Sequence, residues 1–277
     1  MDSVQIWTQS ISARVFKFLK LSAYYNIQNR TSTKGYRFSH YLPHNNDQYY
    51  AEVLFKDYKI YETGLQLYYA YNERFINIGR AFISQGTNYP VFYLNLSGGQ
   101  MVSPYAQNYF KTDWRITKTL NWKKVGKTKL TAQGGFVNAI LPNGLLYNGI
   151  GSFAKFSVVA ANTFQTVGVN EFVMSNYEAL FISHKIGRLF YRFKKFAPVL
   201  SIEHNMGVGY LNNSNAHHNV TYKTMSKGFF ESGFVLDNLY HSGFAGLGIG
   251  CYYRYGYYAN KEPKNNFAAK LSLTIGF

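Results

Sequence analysis

The chain has 277 residues, with 47% hydrophobic, 19% aromatic and only 15% charged side chains. That charge content lies below the roughly 25% of soluble domains. No run approaches the ~20 consecutive apolar residues that a spanning helix requires, which excludes an α-helical membrane protein but not a barrel. The formal net charge of +16 comes from Lys and Arg scattered along the chain, so no nucleic-acid partner is expected, whereas outer-membrane lipid and lipopolysaccharide supply anionic headgroups.

Alternation of period two dominates the sequence and marks strands with one apolar face. Strands are predicted at about 3–14, 19–41, 48–72, 90–99, 110–122 and 126–138. Five more follow at 172–186, 197–210, 228–240, 243–257 and 267–277. The long pair 19–41 and 48–72 predicts a hairpin, turning at 42–47, that stands above the membrane. In 110–122, Phe110, Trp114, Ile116, Leu120 and Trp122 share a face against Lys111, Asp113 and Arg115. In 243–257, Leu247, Ile249, Cys251 and Tyr253 face away from Gly246, Gly248 and Gly250. The last strand puts Phe267, Ala269, Leu271, Leu273, Ile275 and Phe277 on one side. Most segments are near the 9–11 residues that cross a bilayer as a tilted strand. The expected fold is all-β, a single antiparallel transmembrane β-barrel domain over 1–277 with 11–12 strands present.

Counting back from the C-terminus assigns direction, because bacterial barrels keep short turns periplasmic and long loops external. The connections at 15–18, 122–125, 187–196 and 240–242 fall on the periplasmic side. Those at 42–47, 100–109, 139–171, 211–227 and 257–266 fall outside. Only 73–89 is long on the periplasmic side. Single-chain bacterial barrels have even strand numbers. An odd count implies either strands upstream of Met1 or a miscount by one. The start MDSVQIWTQS has no basic region followed by an apolar one, hence no signal peptide. Export would then need a removed signal or upstream residues.

The strand and loop order resembles the BamA-type superfamily of 16-stranded barrels. The resemblance makes this chain the C-terminal part of such a barrel, and makes 139–171 the loop that folds back into the lumen. Within that segment Lys155 and Glu171 are the only charges, an unusually apolar composition for a solvated loop. Tyr71-Asn72-Glu73-Arg74-Phe75 with Gly86-Thr87-Asn88-Tyr89-Pro90 carries a closer resemblance. So do Leu141-Pro142-Asn143-Gly144-Leu145-Leu146, and Phe229-Phe230-Glu231-Ser232-Gly233 with Asp237-Asn238. These are similar to a Bacteroidota outer-membrane family with a carboxypeptidase-regulatory-like N-terminal domain and a C-terminal barrel of unknown function. The Arg-Gly-Phe/Tyr triplet of the BamA lumen loop is absent from 139–171.

Phe277, Ile275, Leu273 and Leu271 resemble the signal read by the barrel-assembly machinery, which pairs such a strand with an open edge. The lumen loop is marked by Leu141, Pro142, Asn143 and Gly144. By alternation Glu62, Asp113, Glu203, Glu231 and Asp237 face the interior, as do Lys111, Arg115, Lys129, Arg254 and Lys270. Such charges need partners or water. They form a structural network around the loop, or else a selectivity filter.

Ser183-His184 and Glu203-His204 are sequence neighbours, but neighbours on a strand point to opposite faces and make no dyad. His217-His218 is expected in a solvated loop, and the single Cys251 as a packing residue. No catalytic residue, metal or cofactor is predicted. The expected role is non-enzymatic, in envelope protein assembly or as the membrane anchor of a soluble domain. An envelope protein is then the further partner. The alternative is a porin-like or ligand-specific channel.

Overall fold

In a computed structural model the chain is described at residues 2–33, 35–43, 50–79, 81–148, 150–153, 157–186, 196–219, 222–243 and 245–275. The protein is all-β. Its strands in chain order are β1 (Asp2–Phe16), β2 (Leu19–Ser32), β3 (Arg37–Pro43), β4 (Tyr50–Phe55), β5 (Asp57–Ala70) and β6 (Arg74–Ile78). Next come β7 (Ala81–Gly86), β8 (Val91–Ser103), β9 (Gln107–Trp122), β10 (Gly126–Val137), β11 (Gly151–Phe153) and β12 (Phe164–Gly168). The last six are β13 (Asn176–Ile186), β14 (Val199–Tyr210), β15 (His217–His218), β16 (Phe229–Ser242), β17 (Ala245–Tyr255) and β18 (Phe267–Ile275).

Eleven of these form one sheet in the order β1-β2-β5-β8-β9-β10-β13-β14-β16-β17-β18. Every neighbouring pair is antiparallel. The strands match the predicted segments because strict alternation is what a long strand with one buried face demands. The sheet is not closed into a barrel. Among the described residues β1 and β18 are edge strands, and β18 is met only by the segment 157–159. There Leu271 N–H donates to the Ser157 carbonyl at 3.0 Å, and Val159 N–H donates to the Leu271 carbonyl at 2.8 Å.

The two faces differ sharply. One carries the connection between β10 and β13 and is called the loop face below. The other, the bare face, shows Trp7, Ile11, Leu65, Phe92, Trp122, Phe136, Phe234, Ile249 and Leu271, all exposed. Tyr rings lie flat over glycines of adjacent strands on the loop face. A Cβ at Gly64 would fall inside the Tyr24 ring, one at Gly99 inside Tyr109, and one at Gly233 inside Tyr252. The 24 Gly and 26 Tyr of the composition are thus partly one feature. The glycine makes room for the ring, and the ring covers the strand that lacks a side chain.

Two expectations are corrected. The long hairpin is interrupted at 33–36 and 56, so β3 and β4 form a separate three-stranded sheet with β15 rather than a free-standing extension. Phe38 packs edge-on against Phe55 and against the His217 ring, so the sheet tip has an apolar core of its own. The anomalous 73–89 connection holds the hairpin β6–β7. It is tied back to the wall at Glu73, which accepts a hydrogen bond from the Tyr68 hydroxyl at 2.9 Å.

The same close approach occurs at Gly135, where an added Cβ would strike the Tyr147 ring. Gly135→Val is expected to displace that ring and break its hydroxyl bond to the Thr112 carbonyl, costing about 1–3 kcal/mol. Gly98→Ala, with nothing within 4 Å, should change stability by less than about 0.5 kcal/mol. Thermal melts of both variants check this; equal shifts would refute it.

Candidate functional site

The connection from β10 to β13 lies against the loop face and is built in at four places. At its start Asn143–Leu145 forms a 3₁₀ turn with Leu141 and Leu145 buried. Arg30 of β2 donates to the Gly144 carbonyl at 2.6 Å, and the Asn143 N–H donates to the Tyr36 hydroxyl at 3.0 Å. Pro142 supplies a carbonyl to the Leu145 N–H. Lys111 of β9 reaches the Leu145 carbonyl at 3.4 Å and stacks over Tyr147. Burial, then the charge of Asp113, pushes the Tyr147 phenol well above its ordinary range, so it stays a neutral donor.

The central anchor is Glu231 of β16, fully buried. One carboxylate oxygen accepts from Gln165 N–H at 2.7 Å and from Asn205 Nδ2 at 2.8 Å. The other accepts from Thr166 N–H at 2.9 Å and from Thr166 Oγ1 at 2.6 Å. Each carboxylate oxygen can take two donors, so the group is saturated. Arg254, directly opposite on β17, donates to the Thr166 carbonyl and to Glu171, both at 2.6 Å. At a fourth place Lys270 of β18 holds the Ser152 carbonyl at 2.8 Å. Glu231, Arg254 and Glu171 thus lie along one stretch of the loop, with Lys223 beside Glu171 and Lys270 at Ser152. Burial alone pushes the Glu171 carboxyl up. The Arg254 guanidinium, the Gly168 N–H and the Lys223 ammonium outweigh that and hold it below the usual carboxylate range.

The predicted charges therefore separate into three groups. Glu231 and Arg254 grip the loop. Glu203 and Asp237 flank a cavity of about 210 Å³ under Val159–Thr163, with Lys129 and Ser183 on its other side. There Glu203 accepts from Ser183 and Tyr252, and Asp237 from Ser272. Glu62, Asp113 and Arg115 lie elsewhere on the same face and contact side chains of the sheet. Their partners are Tyr109 and Asn26, Asn95, and the Tyr93 ring respectively. Leu271 and Leu273 project from the bare face, exposed. Ile275 ends β18, and Phe277 lies outside the described residues. Among the described residues no three His, Cys, Asp or Glu side chains converge on a metal position.

Two sites were missed by sequence reasoning. His217 is buried rather than solvated. It pairs with Phe38 across β15–β3, and its Nδ1 meets the Tyr36 hydroxyl at 2.8 Å. Tyr36 thereby links the loop turn at Asn143 to β15. The second is a cross-strand contact of His204 with Ser232. Its signal was available once 197–210 and 228–240 were set in antiparallel register. No family model matches the chain, and no curated protein matches it.

Two outcomes follow. Glu231→Gln sets an amide NH₂ against two donors whichever way the amide turns, and breaking a buried charged group costs about 3–5 kcal/mol. Limited proteolysis should then cut within 139–175 at protease levels that leave the wild type whole; equal resistance would refute the anchor. Burial, and secondarily His218, lowers the His217 pKa from 6.5 to about 4. The unfolded chain binds this proton first, so stability is full above pH 6.5 and falls as pH drops toward 4, by at most about 3 kcal/mol. A melting series over that range should lose its slope in His217→Phe; an unchanged slope would refute the assignment.

Proposed function

We propose that the chain forms eleven strands of the wall of an outer-membrane β-barrel of BamA-like architecture, with the β10–β13 connection as its internal plug. One observation carries this reading. The bare face exposes many large apolar side chains, and the buried charges of the sheet lie on the loop face. Exposed Trp7, Ile11, Phe92, Trp122, Ile249 and Leu273 all belong to the bare face, while buried Glu231, Asp237, Arg254 and Lys270 belong to the loop face. A soluble protein rarely leaves an apolar patch above a few hundred Å², whereas a barrel in hydrocarbon requires this inversion.

Hydrocarbon does not tolerate an open strand edge. β1 and β18 run in the same direction, since ten antiparallel pairings separate them, an even number of reversals. Direct closure would pair them in parallel, so an odd number of further strands would complete the wall. Five, from outside these 277 residues, would give 16. Lipid, lipopolysaccharide and the barrel-assembly machinery are the partners that this reading requires. The role it supports is architectural, in envelope protein assembly or as the membrane anchor of a soluble domain.

A second reading, a porin-like or ligand-specific channel, has one observation in its favour. The loop face of β1, β2 and β5 is uncovered and lined by Thr8, Ser10, Ser12, Ser22, Asn26 and Gln66 around a cavity of about 510 Å³. Planar-bilayer recording separates the two. The plugged wall predicts silence or brief openings in the full-length protein; a large steady conductance would favour the channel.

The bare-face assignment has its own test. Trp7, Trp114 and Trp122 are the three Trp of the chain, and all lie on that face by register. Brominated phospholipids should quench most of the Trp fluorescence of reconstituted protein. Quenching by aqueous iodide instead would contradict a lipid-facing wall.

A further inference from the structure

On the bare face, His204 of β14 sits directly opposite Ser232 of β16. His204 Nδ1 lies 2.8 Å from Ser232 Oγ. The Tyr255 hydroxyl of β17 completes a triangle, 3.1 Å from the same nitrogen and 3.2 Å from the same oxygen. The imidazole is held in place by stacking. Its ring lies 6.3 Å from that of Tyr255 at 22°, and Tyr255 lies 6.1 Å from Phe230 at 18°. Exposed Ile202 and Phe234 flank the triangle, so its surroundings are apolar.

The three groups satisfy one another, which explains how they coexist but not why they occur. Apolar side chains would pack this face at lower cost, and an ionisable group in the hydrocarbon zone is by default a functional candidate. The comparison with His184 is instructive. That imidazole also faces outward and bonds Thr128, which in turn accepts from Trp122. It lies at the strand ends, however, where an interfacial girdle is polar in any barrel. His204 differs in facing a serine and a second hydroxyl: it lies six residues before the end of β14 at Tyr210, and Tyr255 is the last residue of β17.

We propose that Ser232, His204 and Tyr255 form a hydrolytic site for acyl esters of membrane lipids. The proposal rests on the bare face meeting lipid. Its chemistry needs only water as co-reactant. Ser232 Oγ bonds to the ester carbonyl carbon as His204 Nδ1 takes the hydroxyl proton. The charge that develops on the carbonyl oxygen is met by the Tyr255 O–H. The ester C–O bond breaks, and His204 returns the proton to the leaving alcohol. Water, deprotonated by His204, then bonds to the acyl carbon, the bond to Ser232 Oγ breaks, His204 returns the proton to that oxygen, and the fatty acid is released. A nucleophile within hydrogen-bond reach of a base is the arrangement that acyl transfer requires. With one oxyanion donor and an imidazole oriented by stacking, turnover is expected to be slow.

The test uses the full-length protein in two settings. In detergent, a fluorophosphonate probe should form an adduct on Ser232. His204→Gln should slow labelling by about 100-fold or more, and Tyr255→Phe should slow it less, while Ser12→Ala leaves it unchanged. Absence of the adduct in folded wild-type protein would overturn the site. In phosphatidylethanolamine vesicles, wild type should release fatty acid and Ser232→Ala should not. Ser232 labelling without fatty-acid release, in vesicles where brominated lipid does quench Trp, would overturn lipid as the substrate. Lack of quenching would instead sink the lipid-facing placement, and the proposal with it.

Discussion

The structure depends on one buried ionic group, in which Glu231 accepts four hydrogen bonds and Arg254 bridges Thr166 to Glu171. Burying a lone carboxylate is prohibitive, and burying a pair is at best neutral unless every remaining lone pair and proton is used. Here Glu231 is saturated by the Gln165 and Thr166 amides, the Thr166 hydroxyl and Asn205, and Arg254 uses both terminal nitrogens on the loop, so these charges can stay buried only while the loop is docked. The Gln165 and Thr166 amides in turn find their acceptors on Glu231. Each makes the other tolerable, and that mutual requirement fixes the loop's register along β16 and β17. Lys270 and Arg30 extend the same logic to the two ends of the segment.

Around that group the amino-acid distribution is inverted. Apolar side chains point away from the covered face, and the polar side chains are inside it. The Tyr-over-Gly pairs serve this inversion. They fill the interior with rings that are apolar in body and carry a hydroxyl at the tip. Tyr109 reaches Glu62 in this way, and Tyr252 reaches Glu203. A wall packed like this needs few aliphatic residues inside, which leaves them for the bare face. The Ser232–His204–Tyr255 triangle is one of the polar groups on that face, and it joins three strands.

The eleven wall strands were legible in the sequence because period two is imposed by one-sided burial over 9–16 residues at a time. The orientation of Glu231, Asp237 and Arg254 was legible for the same reason. What was not legible is contact between distant segments. β15 pairs with β3 across 179 residues in sequence, at His217 and Phe38, and neither neighbourhood carries a local signal of the other. Nor could the sequence show that Glu231 binds the amides of Gln165 and Thr166, since any two residues offer the same N–H groups. His204 and Ser232 lie between these cases. Adjacency pointed to the wrong serine and carboxylate, and only the register of β14 against β16 brings the right pair together.

The account stands or falls on whether β12 is held to the wall. Amide hydrogen exchange of Gln165 and Thr166 in the folded protein tests this most directly. If Glu231 grips these two amides, they exchange as slowly as the ladder amides of β16 and β17. Exchange at the rate of an unprotected loop would contradict the account, because it would leave Glu231 buried without the donors that make its burial possible.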